Sequence, residues 1–238
     1  MLQMCYKLVE HTTIRYTLEK ELDFQHARWL RGAICGKVDR PEFHHHACDG
    51  FVYQHPLIRY DICGNQAIIH GLAEGAFLLR AIPNFEILRL GPEEYRVLDY
   101  STEVNRLELG PCAEPVIYHF QTPYLALNQL NHPTWEKGDP FARRRLLERI
   151  VVGNLLSLSK AVGLSVSERL HAEVDLIPDS WHELKPGLRL QGFRGAVQVN
   201  FRLPERWGIG KSSARGFGTL VREEVQRGQD EASCRYNN

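Results

Sequence analysis

Two segments of this 238-residue chain carry side chains whose types and spacing could do chemistry. The first is Pro41-Glu42-Phe43-His44-His45-His46-Ala47-Cys48-Asp49-Gly50. In an extended segment, residues i and i+2 face the same way about 6.6 Å apart, so His44 and His46 share a side while His45 points elsewhere. That spacing can span a phosphodiester. Cutting RNA without a metal needs a base to take the 2′-hydroxyl proton and an acid to protonate the departing 5′-oxygen. Imidazole, with a pKa of about 6.5, serves as either at neutral pH. The same H-x-H pair also suits zinc or manganese, with Cys48, Asp49 or His55 as a third ligand, and exposed loop histidines without a task are the plain alternative. No acidic or histidine set elsewhere in the sequence completes a metal site, so neither a metal nor a cofactor is assigned.

The second segment is GIGKSSARGFG, Gly208 to Gly218, which holds four glycines in eleven residues beside Lys211 and Arg215. Glycines allow close approach and positive φ, so that backbone N–H groups of Gly208, Gly210, Gly216 and Gly218 could converge on a phosphate while the two cations neutralise it. Three phosphate motifs fail against it. A P-loop needs glycine where Glu205 stands, and a dinucleotide fingerprint needs glycine at Ser213. Arg215-Gly216-Phe217-Gly218 starts like the RNA-recognition RNP1 pattern, but Thr219 and Arg222 occupy the places of the stacking aromatics. Trp207, beside the loop, could stack a base or fill the core. The alternative for the whole segment is a glycine turn with Phe217 in the core.

Charge supports an anionic partner once it is resolved along the chain. The 29 basic and 29 acidic residues cancel, which argues against a polybasic protein. Up to residue 140 there are 13 basic and 18 acidic residues, and after it 16 and 11. Within 185–227 nine basic residues face three acidic ones. The longest apolar run, Ile150 to Val166, is interrupted by Asn154, serines and Lys160, too polar for the ~20-residue span a bilayer needs. The amino terminus carries Lys7, Glu10 and Arg15 where a signal peptide would be apolar, so a cytoplasmic location is expected. The six cysteines form no C-x-x-C pair and are read as reduced thiols.

The elements that must position these segments can be read from periodicity. TTIRYTLE reads as a strand, and HARWLRGAICGKV as a helix with Ala27, Leu30, Ala33 and Ile34 at helical spacing. Strands follow on both sides of a Gly64-Asn65 turn, then a helix over Glu74 to Ile82, then EILRL and YRVLDY as strands. EPVIYHFQTPYLAL reads as a strand in the second half. Asp139-Pro140 starts a long helix with Leu147, Val151, Leu155, Leu158 and Val162 as its apolar stripe, ending near Gly163. HAEVDLI, GLRLQGF, AVQVNFRL and TLVREE alternate like strands. Arg143, Arg144 and Arg145 crowd the first turn of the long helix, where cations oppose the macrodipole, and hint at RNA contacts or at a solvated patch. Two units of strand-helix-strands predict an α+β chain of two tandem ferredoxin-like (RRM-like) domains, residues 1–111 and 112–238, divided at a Gly110-Pro111 turn.

FHHHACDGFVYQHPLIRYDICGNQAIIHGLAEGA resembles a segment of the CRISPR-associated repeat-cleaving endoribonucleases, in which a Phe-His-x-His element precedes a Tyr-x-x-Pro-Leu-Ile-x-Tyr strand and a glycine turn. GIGKSSARGFG looks like the glycine-rich loop of the same RAMP superfamily, and LLERIVVGNLLSLSKAVG resembles the helix of its second domain. The resemblance implies tandem ferredoxin-like folds and binding of CRISPR repeat RNA. It also implies one cut per repeat by metal-independent 2′-hydroxyl attack that leaves a 2′,3′-cyclic phosphate. The family's histidines fall on His44 and His46, with His55 in reserve. RNA would be held by Gly208, Gly210, Lys211, Arg215, Gly216 and Gly218, with Arg143 and Arg144. The alternative is a non-catalytic RNA-binding subunit among the proteins of a CRISPR effector complex. The oligomeric state is open between monomer and homodimer.

Overall fold

A computed structural model describes residues 6–37 and 55–224. The first domain contributes β1 (Lys7–Leu18), α1 (Ala27–Lys37), β2 (Ile58–Cys63), β3 (Gln66–Leu72), α2 (Glu74–Leu79), β4 (Ile87–Leu90) and the start of β5 (Glu93–Phe120). A single 3-10 turn, Phe24–His26, leads into α1, with Asp23 accepting from the Gln25 amide at 2.8 Å. The second domain contributes the rest of β5, then α3 (His132–Lys137), α4 (Pro140–Ala161), β6 (Ala172–Lys185), β7 (Leu188–Arg202) and β8 (Leu220–Arg222). All strand pairs between these elements are antiparallel, in the order β2-β3-β1-β5-β7-β6. The architecture is a tandem of ferredoxin-like domains.

The junction differs from the expected turn. β5 runs through Gly110 and Pro111 without reversing, so one strand serves both domains. Its first part pairs with β1 from Lys7↔Leu109 to Leu18↔Val97, and its second part pairs with β7 from Gly110↔Arg202 to His119↔Ala196. The ladder shifts register between Pro111 and Val116, and an irregularity of this kind increases the local twist of a strand. The Gly-Pro signal therefore marked a bulge. A second difference concerns EPVIYHFQTPYLAL, whose strand stops at Phe120. The buried stretch after it is held by Tyr124, which exchanges backbone hydrogen bonds with Phe193 at 2.8 and 3.0 Å.

Each domain buries one helix stripe. Ala27, Leu30 and Ile34 of α1 are buried against Ile14, Tyr16 and Leu18 of β1, while Ala33 is half-buried. Along α4, Leu147, Val151, Leu155, Leu158 and Val162 are all buried with Val174, Val197, Val199 and Phe201 of the second sheet. Asp139 caps α4 by accepting from the Ala142 amide at 2.7 Å, and Pro140 occupies the first helical position, whose amide would have no helical partner. Val9, Leu72 and Leu109 of the first domain belong to the second domain's core cluster, so the two cores are continuous on that side. Among the described residues no helix is long and apolar enough to cross a membrane.

Leu155 has no exposed surface at the centre of the α4 stripe. Leu155→Ala is expected to cost about 2–5 kcal/mol of stability, as buried leucine truncations do. Urea unfolding with an unchanged m-value checks it.

Candidate functional site

The glycine-rich segment follows β7 and closes on itself. Leu220 donates its amide to the Trp207 carbonyl at 2.9 Å and Ile209 to the Gly218 carbonyl at 3.1 Å, so both ends are tied before β8 begins. Gly218, at φ +64°, is required: a Cβ there would stand 2.0 Å from the Ile209 oxygen. Gly216, at φ +88°, sits against the start of α1, where a Cβ would meet the Ala27 methyl at 2.7 Å. The loop thus belongs to the second domain but packs directly on the first. A backbone bridge joins Arg215 to Tyr60 of β2, with the Tyr60 amide donating to Ala214 at 3.1 Å.

Much of the loop's donor set is spent inside the protein. The amides of Ile209, Lys211, Arg215 and Gly218 donate to carbonyls of Gly218, Leu125, Ser212 and Pro123. The Lys211 side chain is exposed, and Arg215 is half-buried with its guanidinium donating to Ser212 Oγ at 3.2 Å. Cationic side chains rather than a nest of free amides are what this loop offers an anion.

Under the loop lies a charged cluster that sequence reading missed. Asp61 has no exposed surface and stands between two guanidiniums. Arg206 Nε donates to its Oδ2 at 2.7 Å, and Arg59 Nη2 lies 3.7 Å from its Oδ1. Thr219 Oγ1 adds a hydrogen bond to Asp61 at 3.3 Å. Arg59, 1% exposed, also donates to Thr219 Oγ1 at 2.9 Å, to the Ser213 carbonyl at 3.4 Å and to the Arg206 carbonyl. Burial lowers its pKa to about 10, against the pull of Asp61, so it keeps its proton at neutral pH. Arg206 itself holds φ +57°, a left-handed conformation that costs an ordinary residue about 1–2 kcal/mol, and its bonds to Asp61 and to the Ile62 carbonyl offset that. A sequence signal existed. In β2, Arg59 and Asp61 alternate with Ile58, Tyr60 and Ile62, placing two charges on one face of a strand whose other face is core.

Two histidines extend the cluster across the first sheet. His11 and His70 stack with ring centroids 5.6 Å apart and planes 3° apart, and Thr13 Oγ1 lies 3.4 Å from one ring and 3.5 Å from the other. Burial lowers the pKa of His11 to about 4. Burial and the neighbouring Arg59 push that of His70 well down. His70 Nε2 is 4.0 Å from Asp61, too far for a hydrogen bond, and with a neutral ring that approach is not an ion pair.

The remaining expected site residues are distributed as follows. His44 and His46 lie outside the described residues. The chain leaves α1 at Lys37 and is next described at His55, whose Nε2 accepts from Trp207 Nε1 at 3.0 Å. Trp207 has no exposed surface, so it is a core residue at the root of the loop and not a base-stacking platform. Arg143 donates to the Trp135 and Glu136 carbonyls at 2.9 and 2.8 Å and lies over the Trp135 ring, capping the end of α3. Arg144 pairs with Glu148 at 3.0 Å and approaches Glu173 at 3.9 Å. These two arginines precede Asn154, the α4 residue that donates to Tyr124 beside the loop, by about 15 Å of helix. The structure does not bring them to the glycine-rich segment.

Removing the buried carboxylate charge leaves two guanidiniums facing each other. Asp61→Asn is expected to lower stability by about 3–5 kcal/mol, the cost of an uncompensated buried charge, as read by chemical denaturation. The histidine pair sets a pH dependence. Because the folded pKa values are below the ordinary 6.5, stability is full above that value and falls as pH drops towards 4, where the unfolded chain binds protons that the folded one refuses. In a His11→Gln, His70→Gln variant the slope of stability against pH between 6.5 and 4 is expected to flatten.

Comparison with known proteins bears on the whole chain. Models of the Cas6b N-terminal domain and the Cas6b C-terminal domain match residues 7–108 and 111–223. A crystal structure of Cas6b covers 91% of this chain and all of that one at 28% identity, with a TM-score of 0.84. A second, titled CRISPR RNA processing endoribonuclease Cas6b, covers the same shares at 26% identity and 0.72. A Methanocaldococcus jannaschii protein, described as uncharacterized protein MJ0978, is 36% identical over 143 residues, 60% of this chain and 97% of its own length. At 17% identity the same fold recurs, with a TM-score of 0.57, in a Cas6 solved as a product complex.

Proposed function

The chain belongs to the Cas6b family, and on that premise we propose that it is an endoribonuclease that binds CRISPR repeat RNA and cuts the precursor within each repeat. The observation that carries this reading is the match of both family domains end to end over a frame whose glycine-rich loop is fixed to both domains. The same loop's root, at Trp207, receives the chain as it returns from the histidine segment at His55.

The chemistry proposed is metal-independent. One of His44 and His46 takes the 2′-hydroxyl proton, and the 2′-oxygen forms a new bond to phosphorus. The bond from phosphorus to the 5′-oxygen breaks, and the other histidine protonates that oxygen as it leaves. The products are a 2′,3′-cyclic phosphate and a free 5′-hydroxyl. Lys211, exposed on the loop, is suited to neutralising charge that develops on the phosphate. Arg215 adds a fixed positive charge at the same loop.

Repeat RNA is expected to be cut in EDTA, and a single 2′-deoxy substitution at the cut site is expected to stop it. Cleavage that requires a divalent metal, or that survives the 2′-deoxy change, overturns the mechanism. His44→Ala with His46→Ala is expected to slow cleavage by at least about a hundredfold while RNA affinity stays within about tenfold, because binding rests on the basic surface.

A further inference from the structure

The two end strands of the sheet are closed to a further strand. β6 is interrupted by Pro178, which has no amide to offer a neighbour, and by two register shifts against β7. β2, at the other end, is bridged by the glycine-rich segment, with the Tyr60 amide donating to the Ala214 carbonyl. β5 is different. β1 borders it from Val97 to Leu109, whereas β4 reaches only to Arg96 and β7 begins only at Gly110. Among the described residues, no second strand pairs with β5 between 98 and 109. Residues 101–106 are all exposed. From Asp99 to Leu109 there is no proline, glycine or register shift of the kind that discourages edge pairing.

This bare stretch carries an unfinished apolar face and charges that complement one another. Tyr100, Thr102 and Val104 lie opposite Tyr16, Ile14 and Thr12 of β1, on the face that Ile14 and Tyr16 bury against α1. Tyr100 rests on Tyr16 with centroids 5.1 Å apart and accepts a hydrogen bond from Thr102 at 2.8 Å. Beside them Val104 stays 46% exposed and Leu98 57%. An antiparallel strand of the same sequence, centred on Thr102, sets Tyr100 opposite Val104 twice, an aromatic and β-branched pairing that stabilises sheets. It also sets Asp99 opposite Asn105, Ser101 opposite Glu103 and Leu98 opposite Arg106, so no like charges meet. The smallest slip that keeps every side chain on its own face is two residues. In one direction that slip opposes Asp99 to Glu103, and in the other it opposes Glu103 to its own copy. Charge therefore favours a second copy of this chain and holds it against slipping to the neighbouring registers.

We propose that two copies of this chain associate through β5, with residues 98–106 of one lying antiparallel to the same residues of the other about a two-fold axis at Thr102. The first domain's sheet then continues from one copy into the next. A two-fold contact of this kind uses the same patch on both copies, so it closes at the dimer and builds no fibre. The association uses neither the histidine segment nor the glycine-rich loop, and it stands or falls apart from the proposed cleavage.

Sedimentation of the nucleic-acid-free protein over about 1–200 μM tests it. A single strand pair buries less than a standard interface, so a monomer–dimer equilibrium with a Kd of about 1–100 μM is expected. Asn105→Asp brings a carboxylate opposite Asp99 on both sides of the axis and is expected to raise the Kd roughly three- to thirtyfold. Adding Asp99→Lys to that variant is expected to restore the wild-type Kd, because opposite charges then face each other. In the wild-type protein, alternate amides between 98 and 106 are expected to gain protection from hydrogen exchange as the concentration rises through the Kd. A protein that remains monomeric at about 200 μM overturns the proposal. A dimer whose 98–106 amides exchange as they do in the monomer overturns it too, because the copies would then meet on another surface. An unchanged Kd in Asn105→Asp, or no rescue by Asp99→Lys, overturns the register and with it the pairing.

Discussion

Asp61, without solvent contact and held between Arg59 and Arg206, is the constraint on which the arrangement of this molecule depends. A carboxylate in that position is costly to desolvate, and the cost is recovered only where paired charges and hydrogen bonds surround it. Here the recovering groups come from both domains. Arg59 and Asp61 belong to β2 of the first, while Arg206, Ser213 and Thr219 belong to the segment that follows β7 in the second. Separating the domains would expose apolar surface and also leave these charges without partners. The cluster holds two guanidiniums and one carboxylate, so it leaves a positive surplus directly beneath the glycine-rich loop.

The loop inherits its shape from that anchoring. Gly216 and Gly218 are glycines because the backbone must pass within contact distance of α1 and of Ile209, which explains their presence without any reference to phosphate. What they provide for function is placement. By letting the loop lie flat on the first domain they set Arg215 beside α1, and they do so at the seam where His182 of β6 meets Phe24. Loop position and the edge-on contacts among Phe24, Phe217 and His182 are consequences of one close approach between the domains.

Much of this was legible in the sequence. The stripe Leu147, Val151, Leu155, Leu158 and Val162 and the Asp139-Pro140 start describe α4 as it is found, because a solvent-backed helix on a sheet must follow its 3.6-residue period. The Gly64-Asn65 turn likewise joins β2 to β3. The domain junction was not legible in the same way. Gly110-Pro111 is as good a signal for a bulge as for a turn, and only the pairing partners of β5 decide between them. The Asp61 cluster was hidden for a related reason. Its cross-domain partners stand 145 residues or more apart in the chain, as with Arg206 and Asp61, so the local pattern of Arg59 and Asp61 on one face of β2 marks two charges without revealing what they meet across the domains. Nor does spacing alone reveal that the Arg143 guanidinium donates to carbonyls at the end of α3.

The central claim is that the glycine-rich loop is a rigid part of a two-domain frame, fixed through Asp61, and not a flexible turn that orders on binding RNA. Native-state hydrogen exchange of the free protein addresses it most directly through the bonded amides of Ile209, Lys211, Arg215 and Gly218. The account predicts that they exchange with the same opening free energy as the amides of β7, within about 1 kcal/mol, since loop and sheet would open together. Loop amides that exchange more than about a hundredfold faster than β7 would contradict it.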